Sequence, residues 1–526
     1  MIKNKFLEKK SIFIRSSLIF SSLILFIPLL ICFGKRSFVA FDEGYYILQA
    51  KWILENNDWI SPMWWGQLVL DRTIGIQYLI ALSIKLFGNN SLAIYLPNIF
   101  AGSIMLVLTF QLHKEITRKN YPLISPLILS TTFLWINYFH MATQDIFFSS
   151  IITFGLFSTI KSYKSKKAIY YFFSGLWIGL AFMLKTYLAL IPFFALLPFL
   201  KNKKFLSNKL FWTGLFIGFV PFIVWSISII ANYNFSAYEG LFSKFLYLSK
   251  KNNFTNPLFY YLWNFPLNTF PWSLFSIIGF LNIHRLKDEL SSYFLFVYPT
   301  IVITLLSLFS TKTPYYPIQI LPVFSINAYL GIEYVLKDKK KIGKFLNKFF
   351  FIFIPIILTI LTIQINQNYK IYGISNYERN LILLSLLSLS LTLFCCTYAN
   401  SIRKKLFLII LGPYFIYSIL VQTGFLTDRS KEIRIATQNI IKNENLNNKK
   451  IEILTGNSWD EKTIKKIVKI ALFTPNIGNG KKEIEELEKN QYAWKAIPEE
   501  DFKIKKNYLV ISEDPVLYPW KLIVKK

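Results

Sequence analysis

Residues 168–200 read AIYYFFSGLWIGLAFMLKTYLALIPFFALLPFL, and Lys185 is the single charge among them. An α-helix needs about 20 apolar residues, at roughly 1.5 Å of rise each, to cross a hydrocarbon core about 30 Å thick. The stretch is too long for one crossing, and its polar pair Lys185-Thr186 falls where two crossings, 168–184 and 186–200, would turn. Lysines close it at both ends: Lys161, Lys164, Lys166 and Lys167 before it, Lys201 to Lys209 after it. A hairpin of two spans puts both lysine clusters on one side of the membrane and Lys185 on the other. Cytoplasmic loops carry an excess of Lys and Arg, so Lys185 is expected to face outward.

The same alternation runs along the rest of the chain. Its 526 residues are 53% hydrophobic, 18% aromatic and 17% charged, with a mean hydropathy of +0.40, too little polar surface to wrap a soluble body of this size. The apolar blocks predict about thirteen spans, near 11–33, 91–112, 122–139, 146–160, 168–184, 186–200, 210–231, 270–283, 292–310, 315–335, 349–366, 380–398 and 406–425. Basic residues fall in alternate loops, among them Lys3 to Lys10, Lys114 to Lys119, Arg285 and Lys287, Lys337 to Lys348, and Arg403 to Lys405. The net charge of +30 is therefore read as membrane topology and not as a nucleic-acid footprint. The dyad alternation over about ten residues that marks a transmembrane β-barrel is missing.

The first block is read as a retained span, because no small-residue cleavage site follows it. Cys32, Cys395 and Cys396 lie in or beside spans and read as packing residues, not as a disulfide framework or a metal cluster. The expected fold is an all-α multi-pass membrane domain over residues 1–427 and a small outward α/β domain over 428–526, in the plasma (inner) membrane. In the second part Lys, Glu and Asn rise abruptly; short strands are expected at 451–454 and 508–511 and helices at 430–442 and 461–471.

On this topology the chemically suggestive segments share the outer face. Phe41-Asp42-Glu43-Gly44-Tyr45-Tyr46 follows the first span, and Gln144-Asp145 opens the fourth. Lys185-Thr186 turns between the fifth and sixth, and Thr311-Lys312-Thr313-Pro314-Tyr315-Tyr316 between the ninth and tenth. Carboxylates beside a span are costly unless they face a wet cavity, a partner or a substrate. The first outer loop, 35–90, has apolar residues at 47, 50, 53 and 54 with Trp52 and Trp59 as interfacial anchors, which describes helices lying along the membrane surface. Residues 73–87 could instead form a short true span, an arrangement that would reverse every later loop. The second outer loop, 232–270, carries Tyr238, Glu239, Lys244 and Trp263, with Trp272 just beyond, and reads as interfacial helix or as a lid over an acceptor.

In this order the residues resemble the membrane glycosyltransferases of the GT-C class. The motifs are Asp42-Glu43, Asp58-Trp59 with Pro62 and Gly66, Asp71-Arg72, Lys85-Leu86-Phe87-Gly88, Gln144-Asp145, Lys185 after its Gly-Leu-Ala-Phe-Met-Leu run, and Lys312 before Tyr315-Tyr316 and Leu321-Pro322. Within the class they look most like the lipid A aminoarabinose transferases and the related polyprenyl-phosphate-sugar and protein mannosyltransferases. The resemblance implies transfer of a sugar from a polyprenyl-phosphate donor to a hydroxyl or phosphate of a lipid, glycan or protein, by single displacement with inversion. Two departures leave the sugar and the acceptor open. No basic residue follows the acidic pair, where Gly44-Tyr45-Tyr46 stands, and Thr73-Ile74-Gly75 replaces the Pro-Pro usual after the acidic-basic pair.

Such a reaction needs a base for the acceptor hydroxyl and cations for the departing phosphate. Asp42 is the first candidate base and Asp145 the second, with Glu43 orienting a neighbour. Arg72, Lys185 and Lys312 are the candidate phosphate cations, Tyr45, Tyr315 and Tyr316 candidate substrate contacts, and Asp71 a candidate ligand for a divalent metal. Plainer readings stand beside these. Asp145 could cap a helix, Lys185 and Lys312 could snorkel to headgroups, Arg72 could serve Asp71 alone, the tyrosines could be an aromatic belt, and His140 an ordinary interface histidine. The rival function is a transporter or lipid-linked-sugar flippase, although charges gathered at one face and dissimilar halves differ from the usual transporter pattern.

Overall fold

The computed structural model describes residues 24–34, 36–250, 255–283, 288–338, 340–371, 375–456, 460–497 and 507–526. Among them nine helices are long and apolar enough to cross a membrane: Ser91–Thr117, Gln144–Ser165, Ala168–Asn202, Lys209–Tyr233, Glu289–Leu308, Tyr316–Lys337, Lys341–Asn368, Asn376–Cys395 and Ile402–Gln422. The expected span near 11–33 lies mostly outside the described residues. The one expected at 270–283 is a ten-residue helix, Trp272–Leu281.

The stretch 168–202 folds back on itself. Its first helix ends at Lys185, Thr186 takes a φ of +40°, and a second helix runs from Leu190 to Asn202. The rings of Tyr163 and Phe199 meet at 5.6 Å, and Lys203 Nζ lies 5.4 Å from the Tyr163 ring. Asn202 has thus returned to the level of Ser165, while Lys185 stays at the level of Gln144. At the returning end, ion pairs knit the basic loops together: Glu115 with Lys161 (2.5 Å) and Lys164 (3.4 Å), Lys203 with Glu289 (2.7 Å), and Glu333 with Lys119 (3.3 Å) and Lys337 (2.6 Å).

The expected span 122–139 is broken into Ile124–Ser130 and Phe133–Phe139. Three successive hydroxyls cause the break: Ser130 and Thr131 donate back to Leu127 O, and Thr132 to Ile128 O. Such bonds compete with the helical ladder, and the Trp272 indole N–H takes up the Thr131 carbonyl at 3.0 Å.

Helices pack in a membrane through small residues that let backbones approach. Gly175 and Gly179 on the first helix of the hairpin face Gly214 and Gly218 on Lys209–Tyr233; a Cβ at any of the four would collide with the opposite backbone. These are two facing Gly-x-x-x-Gly pairs; Phe211, Trp225 and Ile229 of Lys209–Tyr233 also turn inward, while other bulky side chains of that helix point outward, with Phe216 64% exposed. Gly179→Leu is expected to lower stability by about 1–3 kcal/mol through overpacking, whereas Phe216→Leu stays within about 0.5 kcal/mol. Thermal unfolding of the two variants in detergent checks the contrast.

Residues 45–87 form two packed helices, Tyr45–Asn56 and Gly75–Phe87, joined through a small hairpin that pairs Met63–Trp64 with Gln67–Leu68. The C-terminal part holds a four-stranded sheet in the order Ile451–Ile453, Tyr492–Ala496, Trp520–Lys525, Tyr508–Ser512; the first pair is parallel and the others antiparallel. Helix Glu461–Phe473 is tied to this sheet by the indoles of Trp494, to Thr474 Oγ1 at 3.2 Å, and Trp520, to Thr463 O at 3.1 Å. The sheet unit is laced to the bundle at residues 37–38: Ser37 N donates to Thr427 O (3.0 Å), Ser430 N to Ser37 Oγ (2.6 Å) and Ser430 Oγ to Phe38 O (2.7 Å).

Candidate active site

One cavity of about 830 Å³ opens where the first outer loop, the turns at 143–145, 184–188 and 311–316, and the C-terminal unit meet. Asp42, Asp71, Arg72, Asp145, Lys185, Lys312, Tyr45, Tyr315 and Tyr316 all line it. Glu43, the other candidate named from sequence, lies fully buried beside it.

Asp42 sits on a wide helical turn, Ala40–Gly44, in which Gly44 N donates to Val39 O five residues back. Such π-type turns are frequent at functional sites. Glu43 fixes the turn. Its Oε2 accepts from Val39 N (2.6 Å), and its Oε1 accepts from Tyr95 Oη (2.8 Å) and from Ala142 N (2.8 Å), just ahead of Asp145. Burial pushes the Glu43 carboxyl above its ordinary range against the pull of Arg429 and of these donors. Asp42, by contrast, makes no hydrogen bond or ion pair among the described residues. It is exposed to the cavity interior, and desolvation by the surrounding walls, followed by the charge of Asp145, raises its carboxyl above the usual range despite Arg72, Lys185 and Arg429.

Asp145 lies in the first turn of Gln144–Ser165 behind the N-cap Thr143, whose hydroxyl donates to Oδ2 at 2.9 Å. Its Oδ1 is ion-paired with Lys185, the two side chains being 8% and 5% exposed. Lys185 Nζ also faces the rings of Tyr315 (5.1 Å), Phe148 (5.4 Å) and Tyr316 (5.6 Å). This pair changes the reading of both members: Asp145 has both oxygens engaged, and Lys185 is already neutralised.

Arg72 donates from Nε to both oxygens of Asp71 (3.1 and 3.2 Å) and from Nη1 to Tyr46 Oη (3.0 Å), under the rings of Tyr46 (5.1 Å) and Tyr45 (5.5 Å). The three residues after it dock this loop on the 168–185 helix. Thr73 Oγ1 donates to Leu184 O at 3.0 Å, and a Cβ on Gly75 would stand 2.7 Å from Met183 O, so the departure from Pro-Pro has a local structural role. Lys312 Nζ donates to Asn256 O (2.9 Å) and Phe309 O (2.6 Å), and desolvation holds its ammonium below the usual lysine range.

Asp71 is engaged by Arg72, and no group of three or more His, Cys, Asp or Glu among the described residues could hold a metal. The donor set at Asp71 does not fit a divalent ion. His140 bridges Arg36 Nη2 (3.1 Å) and Leu29 O (2.8 Å) as a buried interface residue. The sequence reading missed Tyr46, Asn256 and Tyr260 in the cavity wall and, above all, Glu461, Lys465 and Lys469 from the C-terminal unit. Their spacing of four was the available signal.

Residues 71–227 match the dolichyl-phosphate-mannose-protein mannosyltransferase family. Over 168 residues the chain is 28% identical to an uncharacterized protein of Aquifex aeolicus (strain VF5); the match covers 31% of this chain and 34% of that relative's length. The crystal structure of ArnT from Cupriavidus metallidurans bound to undecaprenyl phosphate superposes with a TM-score of 0.73 at 12% identity, covering 97% of both chains. Apo ArnT from the same organism gives 0.70 at 10% identity, covering 98% of both. The chain thus resembles the GT-C class of polytopic glycosyltransferases, in fold along nearly its whole length and in sequence over 71–227.

Proposed function

We propose that this protein is an integral membrane glycosyltransferase. It moves a sugar from a polyprenyl-phosphate donor to a hydroxyl or phosphate of a lipid, glycan or protein acceptor, with inversion, on the extracytoplasmic face of the plasma membrane. Residues 1–427 form the transferase domain and 428–526 an outward domain. The observation that carries the reading is Asp42: an unpaired carboxylate on a rigidly held turn, in a cavity that also holds Arg72 and Lys312. The ion-paired basic loops at the opposite end of the bundle support the outward orientation of the cavity, by the positive-inside bias.

In the reaction Asp42 accepts the proton of the acceptor hydroxyl while that oxygen bonds to the anomeric carbon. The bond from that carbon to the phosphate oxygen breaks, and its electron pair leaves with the polyprenyl phosphate. Arg72 and the remaining N–H of Lys312 stabilise the charge that develops there. Lys185 and Asp145 hold the turns that frame the site.

The test incubates the purified chain with polyprenyl-phosphate sugars carrying a labelled sugar, in membranes supplying acceptors. Release of polyprenyl phosphate with label in an acceptor is expected. Movement of intact donor across vesicles without cleavage would favour a flippase. The pH profile adds a second check. A base must be deprotonated, so kcat/KM falls as pH drops through the Asp42 pKa. Because that pKa is raised, the acid limb is expected above the ordinary carboxylate range.

A further inference from the structure

None of the roles assigned so far uses the wall that the C-terminal unit contributes to the cavity. Helix Glu461–Phe473 presents Glu461, Lys465 and Lys469 there, a stripe spaced by four on one helical face. The orientation of the stripe is fixed: Ile467, Ile470 and Ala471 are fully buried, and the Val468 side chain occupies the place of a Cβ on Gly44. Glu461 binds Lys465 at 2.5 Å, and Lys465 Nζ lies 5.4 Å from the ring of Phe41, the neighbour of Asp42. Lys466, off the stripe, donates to Tyr518 O at 2.5 Å.

Lys469 differs from its neighbours. It is half-buried and makes no hydrogen bond or ion pair among the described residues. Burial, with the like charges of Lys465 and Lys466, holds its ammonium below the usual lysine range. A partly desolvated cation facing an open cavity without a counter-ion is a standing cost that an anionic ligand relieves. The other cations of the cavity wall share their charge with protein partners, Lys185 with Asp145, Arg72 with Asp71, Lys312 with two carbonyls and Lys465 with Glu461, so Lys469 adds charge there beyond what the donor-side cations Arg72 and Lys312 supply.

Resting on the transferase reading above, we propose that Lys469, assisted by Lys465, forms a subsite for a phosphate carried by the acceptor. The donor phosphate stays tethered to a chain in the bilayer and meets the bundle cations. The lysine stripe instead comes from the part of the protein that caps the bundle, and it adjoins the turn whose carboxylate takes the acceptor proton. The subsite selects acceptors that bear a phosphate near the receiving oxygen.

The experiment titrates glucosamine 1-phosphate and, separately, glucosamine into the purified full chain in detergent saturated with undecaprenyl phosphate, by calorimetry. Wild type is expected to prefer the phosphorylated sugar by about tenfold, as for one charge-assisted contact. Lys469→Gln erases the preference, Lys469→Arg keeps it, and neither changes affinity for undecaprenyl phosphate; thermal midpoints confirm that both variants are folded. Equal binding of the two sugars by wild type overturns the proposal. So does a Lys469→Gln variant that loses undecaprenyl phosphate affinity, because that places the donor phosphate on the stripe. Failure of the transferase reading shows separately, as wild type that binds no undecaprenyl phosphate and transfers no sugar.

Discussion

Asp42→Asn is expected to lower kcat for sugar transfer by about 10²–10⁴-fold, the range for losing a general base, while KM for the donor changes little. Stability is expected to move the other way. The folded-state pKa of Asp42 is raised, so the folded chain holds its proton at pH values where the unfolded chain has released it. Stability therefore falls as pH rises through that window, and above it the ionised carboxylate remains a cost. Asparagine removes that cost. The variant should melt no lower than wild type at neutral pH and should lack the acid limb in any residual rate. Parallel transfer assays and melting curves decide the matter: a lower midpoint accompanying the lost activity would make Asp42 a structural residue.

The second large effect concerns Lys185. Its partner Asp145 is 8% exposed in the side chain, and Lys185 5%. Removing one member of such a pair strands a charge in a desolvated site, which costs about 3–5 kcal/mol. Lys185→Met is expected to show a loss of that size. The double variant Lys185→Met with Asp145→Leu should recover most of it, because an apolar pair of similar volume leaves no charge stranded. Thermal midpoints of the two variants in detergent provide the comparison. A single variant within about 0.5 kcal/mol of wild type, as at an ordinary surface position, would show that the pair is solvated. Activity is expected to fall in both, since Lys185 also faces Tyr315 and Tyr316 across the cavity.

Features set by local chemistry were legible in the sequence. The Lys185-Thr186 turn could be read because a charge and a hydroxyl interrupt an otherwise apolar run between lysine clusters. The gathering of Asp42, Asp145, Lys185 and Lys312 followed from counting spans. What was hidden depends on partners distant in the chain. The break at 130–132 needed the three hydroxyls to be weighed as competitors for the helical carbonyls. The strands Tyr492–Ala496 and Trp520–Lys525 carry lysines that mask their alternation, and they are defined by pairing with each other. Whether a cavity-facing cation is free or already neutralised is a matter of tertiary contact. The sequence named Lys185 and Arg72 and passed over Lys469, and only tertiary neighbours show that the first two are paired, with Asp145 and Asp71.

The turn that carries Asp42 is gripped from two directions, by Tyr95 and Ala142 through Glu43 on the bundle side and by Val468 against Gly44 on the other. The carboxylate proposed as the base therefore rides on a seam between two parts of the polypeptide and belongs to neither alone. A chimera joining this bundle to a foreign C-terminal unit is expected to carry a displaced Asp42 turn even with both halves well folded.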